Sequence, residues 1–171
     1  TDSTLPWAQA FPEAEVHAID VAAPCLRYGH ARAEVAGIPV HFSQRNAECT
    51  GFEAESFDIV LSHIVIHETS KPALRNIIAE SYRLLKPGGV MMHLDVPRGR
   101  GPFDQFMSQW EVYNNNEVFA SHLTDVDLAA LAVECGFDTD KAGMEGVGPY
   151  TGINHAYNDH GFKWPTLVGV K

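Results

Sequence analysis

The amino-acid sequence predicts an α/β fold: a mostly parallel sheet with helices on both faces and an antiparallel hairpin at its C-terminal end. Three observations carry that reading. Leu84-Leu85-Lys86-Pro87-Gly88-Gly89 leads directly into the apolar run Val90 to Val96, so a helix stops and a buried strand begins with almost no loop between them. Phe57-Asp58-Ile59-Val60-Leu61-Ser62 is short, β-branched and nearly all apolar, as expected of a parallel strand covered on both faces. Between the two, Leu74, Ile77, Ile78, Tyr82 and Leu85 recur at helical spacing, which completes a strand-helix-strand unit.

Each element follows in chain order. Ser3 or Thr4 is expected to cap a short helix that has Pro6 in its first turn, places Trp7, Ala10 and Phe11 on its apolar side and ends near Phe11-Pro12. A strand from Glu15 to Val21 brings Asp20 to the C-terminal edge, where open α/β sheets bind ligands. The next helix, Pro24 to Ala36, stops at Gly37, and Pro39 to Ser43 forms another strand. Residues 46–56 read as a polar loop before the strand at Phe57. Ser70 and Pro72 open the third helix, and Arg83 and Lys86 complement the negative end of its dipole.

Beyond Val96, residues 97–102 are too rich in Gly and Pro to be regular. Phe103, Phe106, Trp110 and Tyr113 then return at near-helical intervals, an aromatic helix inside an insertion spanning 97–122. Thr124 with Asp127 three residues on reads as a capping box; Leu128, Leu131, Ala132 and Cys135 form one face of the helix it starts, and Gly136 ends that helix. The tail from Gly143 finishes in Thr166 to Val170, the last strand of the hairpin.

At 171 residues and 45% hydrophobic content, the chain is expected to form one domain, 1–171, with a sizeable core. Lys and Arg number 12 against 22 for Asp and Glu, a net charge of −10 that repels phosphate backbones and anionic lipid. The expected partner is therefore a small molecule, with neither nucleic acid nor membrane. Cys25, Cys49 and Cys135 lack metal-ligand or disulfide spacing and read as buried thiols in a reducing cytoplasm. No apolar run matches a bilayer, and Thr1-Asp2-Ser3-Thr4 has no signal-peptide character. Without an initiator Met, the numbering is expected to begin inside a longer protein.

Four blocks in order, namely the strand ending in Asp20, the loop Asn46-Ala47-Glu48, the strand from Phe57 and the turn Leu85-Lys86-Pro87-Gly88-Gly89, resemble the class I S-adenosylmethionine-dependent methyltransferases. The likeness is to their small-molecule branch, with a compact Rossmann-like domain, and runs to about Phe137. It implies S-adenosyl-L-methionine as cofactor and a small-molecule methyl acceptor. By that resemblance Asp20, with Val21 beside it, holds the cofactor's ribose diol, for which a two-oxygen carboxylate acceptor is suited. Asn46 and Ala47 match the adenine-reading pair; Asn stands for the usual Asp but keeps a carbonyl oxygen that accepts from the exocyclic amine. Ser62 and His63 fall beside the methionine part, and 97–122 becomes the substrate lid.

Where the acceptor must lose a proton, His63, His67 and Glu68 are the candidate catalytic residues, since imidazole titrates near neutrality. His63 and His67 stand four apart, but their order is not His-Glu-x-x-His and no third ligand is evident nearby, so no metal is expected. His93 and Asp95 are expected in separate layers, Asp95 being the one that reaches a site.

One departure from the family pattern is conspicuous. The glycine-rich loop after the family's first strand has no counterpart; by spacing it would precede Asp20 by about 20 positions, at Thr1. The family's first strand lies between those ending at Asp20 and Ser62, and its loss is expected to expose two sheet edges. Two other readings compete. A nicotinamide oxidoreductase also ends its second strand in an acid, although the Lys86-Pro87-Gly88-Gly89 turn is far more familiar from methyltransferases, and a truncated non-catalytic domain would lack the glycine loop.

Overall fold

Residues 3–95, 101–119, 125–142 and 166–171 are described by the computed structural model of the chain, which divides into two units, Thr1–Gly51 and Phe52–Lys171. The first unit runs α1 (Thr4–Ala10), β1 (His17–Asp20), α2 (Ala23–Ala36) and β2 (His41–Gln44). β1 and β2 are parallel, with His17 opposite His41 and Asp20 opposite Gln44, so their C-terminal ends lie side by side. The crossover between them is α2. Pro24 sits in its first turn, and Gly37 closes it in the left-handed conformation, its N–H donating to the Ala33 and Glu34 carbonyls. Gly29 and Ala33 are the buried residues of α2, small side chains where the helix is covered. In α1 the buried residues are Leu5 and Ala8, whereas Ala10 and Phe11 are exposed and Phe11 stacks on Trp7 at 5.4 Å. The expected apolar side is thus displaced by an i,i+4 aromatic pair on the helix surface. Ser3 makes no side-chain cap because its backbone is already helical, at φ −96° and ψ −35°.

The second unit runs β3 (Phe57–His63), a 3-10 turn (Ile66–Glu68), α3 (Lys71–Leu84), β4 (Leu85–Leu94), α4 (Pro102–Asn115), α5 (Leu128–Glu134) and β5 (Thr166–Val170). Its sheet has the order β3-β4-β5, parallel in the first pair and antiparallel in the second. The Ser70 hydroxyl caps α3 by accepting from the Ala73 N–H at 3.3 Å, and Pro72 lies in the first turn as expected. The handover from helix to strand comes earlier than the sequence suggests. Leu85, fully buried, already pairs with Phe57, and the next register partners are Ile59 and Val90, so Asp58 faces the whole of Lys86 to Gly89. Pro87-Gly88-Gly89 is therefore a bulge inside β4. Gly88 takes φ 81°, and a Cβ on Gly89 would fall 2.9 Å from the Lys86 carbonyl. Lys171 satisfies the bulge, accepting from the Gly88 N–H and donating its own N–H to the Gly89 carbonyl.

Ile66, Leu74, Ile78, Leu85, Met91, Ala132, Phe137 and Leu167 form the core of this unit, with Leu128, Leu131 and Cys135 packed against it. The face expected of α5 is thus the one it uses. Its cap differs: Asp127 itself accepts from the Ala130 N–H at 3.0 Å, and Thr124 lies outside the described residues. β5 pairs with β4, and the expected first arm of a hairpin falls within 143–165, also outside them. Cys25 and Cys49 are exposed and Cys135 half-buried, a correction to the reading as buried thiols. Among the described residues β1 pairs only with β2 and β3 only with β4, which leaves one edge of each without a strand.

Candidate functional site

In the Thr1–Gly51 unit the strand ends gather the polar residues expected to bind a ligand. Asp20 closes β1, and its Oδ1 accepts from the Ala22 N–H at 2.8 Å, which fixes the carboxylate at the mouth of the crossover. Among the described residues that carboxylate makes no other hydrogen bond or ion pair. Val21 is exposed, and its carbonyl accepts from the Gln44 side chain at 2.8 Å, tying the two strand ends together. Asn46 lies two residues beyond β2; its Oδ1 accepts from the Glu48 N–H at 2.9 Å, an Asx turn that presents Ala47 at its tip. Asp20 and Asn46 thus stand at the same end of neighbouring parallel strands. An open cavity of about 550 Å³ lies elsewhere in this unit, lined by Leu5, Tyr28, Arg32, Val35 and Ile38 of α1, α2 and the residues after it, and includes neither of them.

In the Phe52–Lys171 unit a buried polar group is built where β3 and β4 end. Ser62 turns to His93, with Oγ and Nδ1 2.7 Å apart, and the Ser81 hydroxyl lies 3.4 Å from Nε2. Burial pushes the His93 pKa down to about 4, partly opposed by the Asp95 charge. His93 and Asp95 do not occupy separate layers as expected: two residues apart along a strand they share a face, and both are buried. Asp95 organises the turn after β3. Its Oδ2 accepts from the N–H groups of Val65, Ile66 and His67 at 3.2, 2.8 and 3.3 Å, and its Oδ1 meets His67 Nδ1 at 2.6 Å. The chain reaches this turn through Ile64, a β-branched residue at φ 56°.

His67 is only 2% exposed. The hydrogen bond to Asp95 raises its pKa; burial opposes the rise, and the charges of Asp95, Glu117 and Glu68 reinforce it. Its Nε2 lies 3.5 Å from Glu68 Oε1. His63 ends β3 half-buried, on a different element from His67, so the i,i+4 helical pair suggested by their spacing does not form. Sequence reasoning named His67 and Glu68 and, more weakly, Asp95. It missed the His67–Asp95 pair, although strand ends that are neighbours in a parallel sheet could have signalled it, and it missed Glu117, for which no local signal exists.

Tyr82 and Lys86 have the Tyr-x-x-x-Lys spacing of many nicotinamide-dependent reductases. Here Tyr82 packs edge-on against Phe137, and Lys86 pairs with Asp58 at 2.9 Å near the start of the strands, so the two build no site together.

A model of the methyltransferase domain matches residues 2–89, from before α1 to the β4 bulge. The chain belongs to the methyltransferase-domain family. An uncharacterized methyltransferase of Synechocystis is 30% identical over 111 residues, 62% of this chain and 50% of that protein. The chain spans half or less of the length of the curated relatives it matches. Among solved structures, a SAM-dependent methyltransferase from Methanosarcina mazei superposes with a TM-score of 0.66 at 18% identity, covering 97% of this chain and 86% of that one. Phosphoethanolamine N-methyltransferase 2 of Haemonchus contortus, solved in complex with S-adenosyl-L-methionine, gives 0.67 at 18%, covering 95% and 45%. At these identities the structures show the shared Rossmann-like α/β fold of the methyltransferase family. The positions of Asp20, Asn46 and the β4 bulge all fall within the matched span.

Proposed function

We propose that this methyltransferase-family chain uses S-adenosyl-L-methionine to methylate a small-molecule acceptor. The observation that carries the proposal is the placement of Asp20 and Asn46 at adjacent C-terminal strand ends, each pinned by a hydrogen bond to a backbone N–H two residues on. These residues suit an adenosyl group: Asp20 keeps a carboxylate oxygen for a vicinal diol, and the Asx turn presents the Ala47 backbone beside an amide side chain. Asp20 and Val21 would hold the ribose, Asn46 and Ala47 the adenine. In the Phe52–Lys171 unit the Ser62 hydroxyl is engaged with His93, and His63 closes β3 half-buried.

When bound, the cofactor supplies a sulfonium methyl group for in-line displacement, the acceptor's bond to carbon forming as the carbon–sulfur bond breaks and its electron pair stays on sulfur. The chain's own task is to hold the acceptor, exclude water and take its proton. Of the three candidates, His63 is best suited to take it. His67 is engaged by Asp95 on one nitrogen and faces Glu68 on the other, so both ring nitrogens already have a carboxylate beside them. Glu68 is exposed. The aromatic side chains of α4 support an apolar or planar acceptor, because Phe106 and Trp110 are 58% and 56% exposed on it. Positioning of the two reactants supplies most of the rate, on the order of 7–11 kcal/mol at best.

Calorimetric titration of the full chain with S-adenosylhomocysteine tests the reading. Binding is expected, and Asp20→Ala should weaken it by about 2 kcal/mol, or ~30-fold, through loss of a charged acceptor. No heat with S-adenosylhomocysteine, or equal affinity in Asp20→Ala, refutes it.

A further inference from the structure

The turn after β3 brings one imidazole against three carboxylates. His67 meets Asp95 through Nδ1 at 2.6 Å and Glu68 through Nε2 at 3.5 Å. Glu117, two residues past the end of α4, closes the group: one ligand atom from each of His67, Glu68 and Glu117 lies within 4.8 Å of the others. We propose that His67 Nε2, Glu68 and Glu117 bind a divalent transition-metal cation of the Mn²⁺ or Zn²⁺ class, with Asp95 as the residue that orients the imidazole.

Geometry and chemistry both support this. Asp95 Oδ1 accepts a hydrogen bond from the Nδ1–H, which fixes the tautomer and turns Nε2 toward the two glutamates, the arrangement in which a carboxylate orients a metal-bound histidine. Nε2, facing Glu68 and Glu117, is the atom at which a proton and a metal cation compete. Two ligands on one ion at about 2.0–2.2 Å stand roughly 3–4 Å apart, so the 3.5 Å between Nε2 and Glu68 already suits neighbouring positions. The ring itself cannot adjust: it is 2% exposed, and the backbone N–H of its own residue and of the two before it are held by Asp95 Oδ2. A buried, oriented nitrogen beside two more exposed carboxylates is a preformed half-site. One nitrogen and two oxygens favour a transition-metal cation, Zn²⁺ above Mn²⁺, over Mg²⁺ or Ca²⁺, which take oxygen ligands almost exclusively.

A second group, Glu15, His17 and His41 in the Thr1–Gly51 unit, has the same spacing but not the same support. Its two rings stack on each other at 4.8 Å, Glu15 and His41 are exposed, and the pairs read as surface ion pairs. It serves as the internal control.

The test is calorimetric and electron-paramagnetic titration of the full chain with Mn²⁺, repeated with Zn²⁺ by calorimetry. Glu68→Gln and Glu117→Gln keep side-chain size at positions outside the core, so both should fold. Each is expected to weaken binding by about tenfold or more, and the pair together to abolish it, while Glu15→Gln leaves it unchanged. Mn²⁺ should also broaden the His67 ring resonances. The proposal is overturned if neither metal binds at millimolar concentration, if affinity is unchanged in Glu68→Gln and Glu117→Gln, or if Glu15→Gln alone removes binding. Metal binding needs neither methyl donor nor acceptor, so its failure and failure of the methyl-transfer reading are separate results.

Discussion

Lowering the pH from 7 to 4.5 should destabilise the Phe52–Lys171 unit through one buried imidazole. His93 is 2% exposed, its Nδ1 faces Ser62 and its Nε2 faces Ser81, and burial holds its pKa near 4 against 6.5 in an unfolded chain. Between those values the unfolded chain binds a proton that the folded chain refuses. Stability must therefore rise with pH across the window and be lost as pH falls through it. A depression of that size corresponds to about 3 kcal/mol, of which roughly 2–3 kcal/mol is gone by pH 4.5. His67 acts in the opposite sense. Its pKa is raised, so its contribution is complete below 6.5 and declines only as pH climbs through the folded value, leaving it flat across the same window.

Urea unfolding followed by circular dichroism at several pH values gives the measurement, and His93→Asn supplies the reference, since an amide can still meet Ser62 and does not titrate. Wild type should lose about 1 M in midpoint between pH 7 and 4.5 relative to the variant, for an m-value of about 2–3 kcal/mol per M. The variant should be less stable than wild type at pH 7 because it leaves a void, and the gap should narrow in acid. A gap that stays constant from pH 7 to 4.5 would refute the claim that His93 is buried and neutral.

Two further outcomes follow from packing and capping. A Cβ on Gly169 of β5 would fall 2.7 Å from Phe137 Cδ1, so Gly169→Ala should cost about 1–3 kcal/mol in urea unfolding, and Phe137→Leu in the same chain should recover part of it. Ser70→Ala removes the acceptor for the Ala73 N–H at the start of α3 and should lower stability by about 1 kcal/mol, whereas Ser70→Asp should hold it near wild type.

What the sequence made legible was local. Ser70 with Pro72, and Gly37, each act through their own φ or their own hydrogen bond, so their effect can be read without knowing what lies across the sheet. Asp20 and Asn46 belong to the same class, since a position at the end of a strand follows from the strand alone. The transition from α3 to β4 was not legible to the residue. Whether Leu85 continues the helix or opens the strand depends on Phe57 and on Lys171, distant partners that turn the Pro-Gly-Gly segment into a bulge. The apolar side of α1 was misread for a related reason: Leu5 and Ala8 are buried and Phe11 is not, which periodicity over seven residues cannot distinguish.

The polar group in the Phe52–Lys171 unit shows why chemistry was harder to read than fold. His67 owes its position to no regular element. β3 ends at His63, Ile64 turns the chain with φ 56°, and a three-residue 3-10 turn follows that is too short to be stable alone. A β-branched residue in that conformation costs on the order of 1–3 kcal/mol and persists only if something else fixes the turn. Asp95 does so, gathering three N–H groups on one oxygen and the imidazole on the other. A neutral amide could offer one acceptor but would set an NH₂ group against either the backbone donors or the Nδ1 proton, leaving buried donors opposed. The carboxylate at the end of β4 thus both holds the backbone in a strained path and aims His67, so the same side chain that lets the turn form decides which ring nitrogen faces Glu68 and Glu117.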